Sequence, residues 1–102
     1  MLPKEVRFSL RKRLIPEKTY SSLFFVAKLR KNTLSHNRYA FIVSKKIDSR
    51  ATVRNRIRRL FQASVVASSI SKTGYDILFI AKKNALYATR EKLVDNIQKT
   101  LF

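Results

Sequence analysis

The segment from Ser44 to Phe61, SKKIDSRATVRNRIRRLF, concentrates positive charge. It holds seven basic residues and one acid, and five arginines fall within the ten positions from Arg50 to Arg59. Like charges spaced along a helix destabilise it by roughly a few tenths of a kcal/mol per pair, so folding does not explain them. Guanidinium groups grip phosphate oxygens through paired hydrogen bonds. The segment therefore predicts a ligand with a phosphate backbone.

The charge of the whole chain also indicates a polyanionic partner. Across 102 residues, 23 lysines and arginines face 6 acids, which gives a formal net charge of +17. Repulsion of this size opposes folding unless a counter-charge neutralises it, so we expect a nucleic acid. A solvated basic surface without a ligand, a DNA-recognition helix and a helix lying on a membrane are weaker alternatives.

Residue types exclude most catalytic designs for the chain alone. There is no cysteine and His36 is the single histidine, which rules out a thiolate metal site, a histidine cluster and a Ser-His-Asp relay. We interpret His36 as a surface loop residue. The six acids form no paired-carboxylate motif, so we predict no catalytic residue and no metal or other cofactor bound by the protein. The six acidic residues are Glu5, Glu17, Asp48, Asp76, Glu91 and Asp95.

Length and hydropathy predict one domain over residues 1–102. The sequence is 45% hydrophobic, which suffices for a core. No apolar run approaches the roughly 20 residues of a membrane-spanning helix, and the N-terminus lacks the apolar segment of a secretory signal. The expected location is the cytoplasm.

The first half of the chain predicts a helix followed by strands. A helix runs from Pro3 to about Arg13, and a strand from Ser21 to Leu29. The loop KNTLSHN then resembles a hairpin connection to a strand from Arg38 to Val43. Because both faces of that strand are apolar, we expect it at the centre of the sheet. A further short strand fits near Thr19.

The second half predicts a helix, a strand and a helix. From Ala51 to about Ser69 the apolar period is helical, which leaves Asn55, Arg58 and Arg59 on the exposed side. A strand at Tyr75 to Lys82 follows by a crossover connection, and Thr89 caps the last helix. The class is α+β. The predicted packing stripes are Val53, Ile57, Leu60 and Phe61 in one helix, and Leu93, Val94, Ile97 and Leu101 in the other.

Aromatic side chains could add stacking surfaces for unpaired bases. Phe8 is a candidate, as is whichever of Phe24 and Phe25 faces outward. We expect most phenylalanines to be core residues instead. Those assigned to the core are Phe24, Phe25, Phe41, Phe61 and Phe79.

The Arg54-Asn55-Arg56 string, inside SKKIDSRATVRNRIRRLF, closely resembles the signature of the bacterial ribonuclease P protein subunit. YDILFIAKKNA, Tyr75 to Ala85, resembles the family's last strand and following turn. Leu2 and Phe8 resemble its N-terminal pair. The resemblance implies an αβββαβα domain with a mixed four-stranded sheet and a left-handed βαβ crossover, like the second domain of ribosomal protein S5.

The function implied by the resemblance is that of a protein cofactor. Such a subunit binds the catalytic RNA subunit of ribonuclease P and the 5′ leader of precursor tRNA, and assists endonucleolytic removal of the leader. The RNA performs the catalysis, with Mg²⁺ expected in the RNA holoenzyme, and no membrane or stable protein partner is implied. A structural RNA-binding protein, such as a ribosomal component, is the alternative.

The resemblance also implies two sets of site residues. The loop and helix that face the RNA subunit would contribute Lys45, Lys46, Arg50, Arg54, Asn55, Arg56, Arg58 and Arg59. A cleft for the single-stranded leader, between the first helix and the sheet, would contain Phe8, Lys12, Lys82 and Lys83. Asp48 to Arg50 make the loop before the helix longer than is usual in the family.

Overall fold

The computed structural model describes residues 16–70 and 73–101, and four strands within them form one mixed sheet. The predicted N-terminal helix, with Phe8 and Lys12, lies outside the described residues. The strands occur in the spatial order β1-β2-β4-β3, with β2 antiparallel to β1 and β4, and β3 parallel to β4. The α+β class and the four-stranded mixed sheet are therefore confirmed. Their bounds are β1 Lys18–Ser21, β2 Phe25–Lys31, β3 Arg38–Ile42 and β4 Tyr75–Ala81.

β4 is the buried centre of the sheet. Its Ile77, Leu78 and Phe79 are all buried, as the nearly continuous apolar run of this strand predicts. β1 contains Thr19 and confirms the short extra strand. The strand predicted from Ser21 begins instead at Phe25, because the backbone N–H of Ser22 donates to the carbonyl of Phe25 at 2.8 Å in a tight turn.

Two expectations about β3 are wrong. β3 lies at an edge of the sheet, because β4 inserts between it and β2, and residues 32–37 therefore form no hairpin. Apolar residues on both faces of a strand do not distinguish a central position from an edge position, because β3 has both and lies at the edge. The loop is instead fastened to β4. Asn37 accepts a hydrogen bond from the Tyr75 N–H at 2.9 Å, and Asn32 donates to Asp76 at 3.0 Å.

An ion pair fixes β3 against β4. The guanidinium of Arg38 donates to both carboxylate oxygens of Asp76, at 2.8 and 2.7 Å. Burial raises the pKa of the Asp76 carboxyl, but the hydrogen bonds from Arg38 and Asn32 and the charges of Arg38 and Arg30 together lower it by more, so its pKa falls below the ordinary value. Asp76 is therefore ionised at neutral pH, and its role is to hold β3 against β4.

Two α-helices complete the described fold. α1 (Ala51–Ser68) is the crossover between the parallel strands β3 and β4, as predicted, and the hand of that crossover stays a prediction. A 3₁₀ helix (Lys83–Tyr87) and α2 (Arg90–Leu101) follow β4. Thr89 caps α2 as predicted, since its hydroxyl accepts the N–H of Lys92 at 3.3 Å.

The core lies between one face of the sheet and the two helices. Phe25, Phe61 and Phe79 are fully buried and their rings meet with centroids 5.2 to 6.1 Å apart. Phe24 is buried as well, so the assignment of both Phe24 and Phe25 to the core is confirmed. In the predicted stripe of α1, Leu60 is only partly buried, and two serines continue the buried face instead. Burying its apolar side on the sheet leaves the charged side of α1 outward.

Candidate nucleic-acid interface

A short loop between β3 and α1 presents two lysines to solvent. Val43 and Ile47 are buried in the core, and the Ile47 N–H donates to the Ser44 carbonyl at 3.1 Å. Lys45 and Lys46 lie between these two anchors and are exposed. The turn therefore holds both ammonium groups outward although their chain neighbours are buried.

Asp48 organises the end of this loop. Its carboxylate accepts the backbone N–H of Arg50 at 2.9 Å and pairs with the Arg50 guanidinium at 3.0 and 2.9 Å. The side-chain hydrogen bonds from Arg50, and then the backbone one, lower the pKa of Asp48 to about 2. The pair is therefore ionised at neutral pH, and the charge of Arg50 is offset within the chain.

Arg54 holds the loop against the first turn of α1. Its Nη1 donates to the carbonyl oxygens of Asp48 at 3.1 Å and Ser49 at 2.7 Å. Two carbonyls that precede the helix are satisfied in this way. The side chain that leads the Arg-Asn-Arg string thus has a structural role beside any contact with a ligand.

Arg56 and Arg59 are the most available cations of α1. Both side chains are exposed, and neither guanidinium group makes a hydrogen bond or ion pair with any other residue in the ranges 16–70 and 73–101. Asn55 is exposed too, and its Oδ1 accepts a hydrogen bond from Arg58 at 2.7 Å. We call this loop and helix surface the basic face. It consists of Lys45, Lys46, Arg50, Arg54, Asn55, Arg56, Arg58 and Arg59.

The start of α1 adds to the positive potential of the basic face. The first turn of the helix contains no acid, and Arg50 at the N-cap provides no side-chain cap. Unpaired N–H groups and the helix dipole make this end partly positive. One acid, Asp48, lies beside the eight residues of the basic face, so the local field favours an extended anion.

The predicted cleft lysines lie at the end of β4. The ammonium group of Lys82 is held by the β1–β2 turn, where it donates to the Ser21 hydroxyl and to the Ser22 carbonyl, both at 2.6 Å. Lys83 begins the 3₁₀ helix and is exposed. The structure therefore separates a lysine fixed in place from one that is free to reach a ligand.

The sheet face opposite the core carries an apolar surface with one added lysine. Strand alternation places Val26, Leu78 and Ile80 on this face, and Lys28 lies beside Leu78 in the pairing register. Sequence reasoning did not single out Lys28. The alternation of the strand sequence FVAKLRK could have revealed it, because Lys28 falls on the same outward face as Val26.

Neither a metal centre nor a membrane span is found within the described residues. They contain no group of three or more His, Cys, Asp or Glu side chains that could hold an ion. No helix in ranges 16–70 and 73–101 is long and apolar enough to cross a bilayer.

Comparison with known proteins decides the family. The family model described as Ribonuclease P matches residues 10–102. The chain belongs to the ribonuclease P protein family. The ribonuclease P protein component of Thermoanaerobacter sp. (strain X514) is 36% identical over 85 residues, which cover 82% of this chain and 72% of that protein. The component of Fusobacterium nucleatum is 44% identical over 66 residues, covering 63% and 54%.

Solved structures of the same family share the fold. The ribonuclease P protein of Staphylococcus aureus matches with a TM-score of 0.70 and 25% identity, covering 82% of this chain and 77% of that one. That of Thermotoga maritima matches with a TM-score of 0.71 and 23% identity, covering 80% of each chain. The resemblance seen in the Arg-Asn-Arg string is therefore confirmed at the level of the family and the fold.

The structure places the predicted RNA-binding residues on one loop and the helix that follows it, but gives them different roles. Arg50 is paired with an acid and Arg54 holds the loop, whereas Arg56 and Arg59 are unpaired within the described chain. The assignment of all eight to RNA binding stays a prediction. The sequence interpretation missed Tyr87, a tyrosine outside any apolar period, which ends the 3₁₀ helix and is 78% exposed.

Arg54→Ala and Arg56→Ala are expected to differ in stability although each removes one positive charge. Arg54→Ala loses two charge-assisted hydrogen bonds to the loop, so the free energy of unfolding should fall by about 1 to 2 kcal/mol. Arg56→Ala removes an exposed side chain and should stay within about 0.5 kcal/mol of the parent. Urea unfolding followed by circular dichroism compares them. Equal stabilities would mean that Arg54 does not hold the loop in solution.

Proposed function

We propose that this ribonuclease P protein is the cofactor of a catalytic RNA and that its basic face binds the RNA subunit. Membership of the family supports a role in endoribonuclease activity as part of a complex. Within that complex the protein would reduce repulsion between two polyanions, the RNA subunit and precursor tRNA. The cytoplasm is the compartment in which such a chain would work.

The observation that carries the proposal is the division of α1 into two sides. Its apolar side is consumed by the core, so lipid or another apolar partner cannot use it. Its other side presents Arg56 and Arg59, exposed and without a partner in the described chain. Unpaired guanidinium groups carried on a helix suit phosphate oxygens, and each neutralised phosphate releases counterions.

Catalysis is assigned to the RNA because the described acids form no group of three or more that could hold a metal ion. Asp48 and Asp76 pair with arginines, and Asp95 pairs with Lys99 at 2.9 Å. Glu17 accepts the N–H of Lys31 at 3.3 Å, near β1. A protein-based nuclease would need clustered carboxylates to hold Mg²⁺. We therefore assign Mg²⁺ to RNA phosphates.

Leader binding is assigned to the sheet face opposite the core. Single-stranded RNA requires apolar or aromatic surface beside positive charge. Val26 and Ile80, both half-buried, supply apolar surface there, while Lys28 and Lys83 supply charge nearby. Phe8 and Lys12 belong to the same proposal by family resemblance. This site would extend contact beyond the RNA subunit to the 5′ leader of precursor tRNA.

Reconstitution tests the proposal. The full chain is added to a bacterial ribonuclease P RNA at low Mg²⁺ with precursor tRNA that carries a 5′ leader. The account expects faster removal of the leader than with the RNA alone. RNA binding without any gain in cleavage would favour a structural RNA-binding protein instead.

A further inference from the structure

A depression between α1 and the 3₁₀ helix differs from the rest of the basic face. It has a volume of about 520 Å³ and an apolar floor that includes Leu60 and Leu86, both partly buried against the core. Arg56 and Arg59 form one rim and Tyr87 the other. Most of the basic face can offer only charge to a ligand, whereas this depression combines charge, an aromatic ring and an apolar floor.

The exposed ring of Tyr87 makes no contribution to folding that the structure shows. Its 78% exposure is the largest among the big apolar side chains of the described chain, and no hydrogen bond to its hydroxyl is found there. An aromatic residue in this condition gives up the stabilisation that burial would provide. The two arginines opposite it are also unpaired within ranges 16–70 and 73–101. All three side chains are therefore available to the same ligand.

We infer that this depression binds one unpaired nucleotide of an RNA, with the base against Tyr87 and an adjoining phosphate on Arg56 or Arg59. Bases within a duplex are stacked on each other and expose no face, so only an unpaired or extruded base can reach the ring. The positive rim matches the phosphate, and the apolar floor matches the edge of the base. The inference rests on the proposed function and specifies part of it: the RNA that meets the basic face contributes an unpaired base.

A tryptophan at position 87 gives a direct readout. The chain contains no tryptophan, so the Tyr87→Trp variant of the full-length protein has a single indole, which stacking on adenine would quench. The probes are an eight-nucleotide oligoadenylate and a blunt-ended RNA duplex of two complementary eight-nucleotide strands, which has no unpaired base. Val66→Trp is the matched control, because Val66 lies on α1, is 63% exposed and does not line the depression.

We expect saturable quenching of Tyr87→Trp by the single strand, little by the blunt duplex, and none in Val66→Trp. Tyr87→Ala should bind the single strand about 5- to 150-fold more weakly, and the duplex with unchanged affinity. Tight single-strand binding without quenching, and with full affinity in Tyr87→Ala, would overturn the nucleotide site and leave the proposed function intact. If neither probe nor the RNA subunit bound in a salt-dependent way, the proposed function would fail and the inference with it.

Discussion

Neutralising five cations of the basic face is expected to weaken binding of the RNA subunit by about three orders of magnitude near 0.15 M salt. The five chosen side chains form no ion pair with an acid and do not hold the loop before α1, so their replacement by glutamine should leave the fold intact. If each of the five contacts one phosphate, the magnitude of the slope of log affinity against log salt should decrease by about 0.9 per residue, or roughly 4.5 in all. They are Lys45, Lys46, Arg56, Arg58 and Arg59.

A charge-matched variant separates local contacts from net charge. It replaces five exposed cations outside the basic face by glutamine, so both variants lose the same charge from +17. One of the five, Lys99, forms an exposed ion pair with Asp95, and the loss of such a surface pair costs little stability. If the basic face makes the contacts, the control should keep most of the affinity and of the salt slope. Equal losses in the two variants would show that only the overall field matters. The control positions are Lys18, Lys31, Arg90, Lys92 and Lys99.

Replacing Phe61 by alanine is expected to lower the free energy of unfolding by about 3 to 5 kcal/mol. Phe61 is 1% exposed, and its ring lies within 6.2 Å, centroid to centroid, of Phe25, Phe41 and Phe79. The change leaves a cavity where α1 meets the sheet. A domain of this size has a total stability of about 5 to 15 kcal/mol, so a large part would be lost.

Thermal melting followed by circular dichroism checks this, with an expected fall of about 12 °C or more. Tyr87→Ala is the matched control, since it also removes an aromatic ring but from an exposed position, and its melting temperature should stay near the parent value. A Phe61→Ala variant as stable as Tyr87→Ala would show that α1 does not depend on this contact.

The elements of the fold were largely predictable, but the order of the strands was not. Helical and strand periods located α1, α2 and β4 within a residue or two, because those segments bury a regular stripe or a continuous run. Local patterns carry no information on which strands pair. The parallel pairing of β3 with β4 depends on where α1 returns the chain, so β3 became an edge strand against expectation.

The chemical character of the basic face was predictable from residue types, whereas the roles of individual side chains were not. Sequence showed that arginines crowd one side of a helix. It did not show that Arg54 turns back onto the loop carbonyls or that Asp48 takes the guanidinium of Arg50, because both depend on the path of the loop. The exposure of Tyr87 was not predicted, because it depends on a short 3₁₀ helix whose sequence has no regular apolar period.

Cleavage of precursor tRNA at low Mg²⁺, measured with the RNA subunit alone, the protein alone and both together, tests the central claim most directly. The account predicts no cleavage by the protein alone, faster cleavage when the parent chain joins the RNA, and little gain from the variant neutralised at five positions of the basic face. Cleavage by the protein without RNA, or an undiminished gain from the neutralised variant, would contradict it.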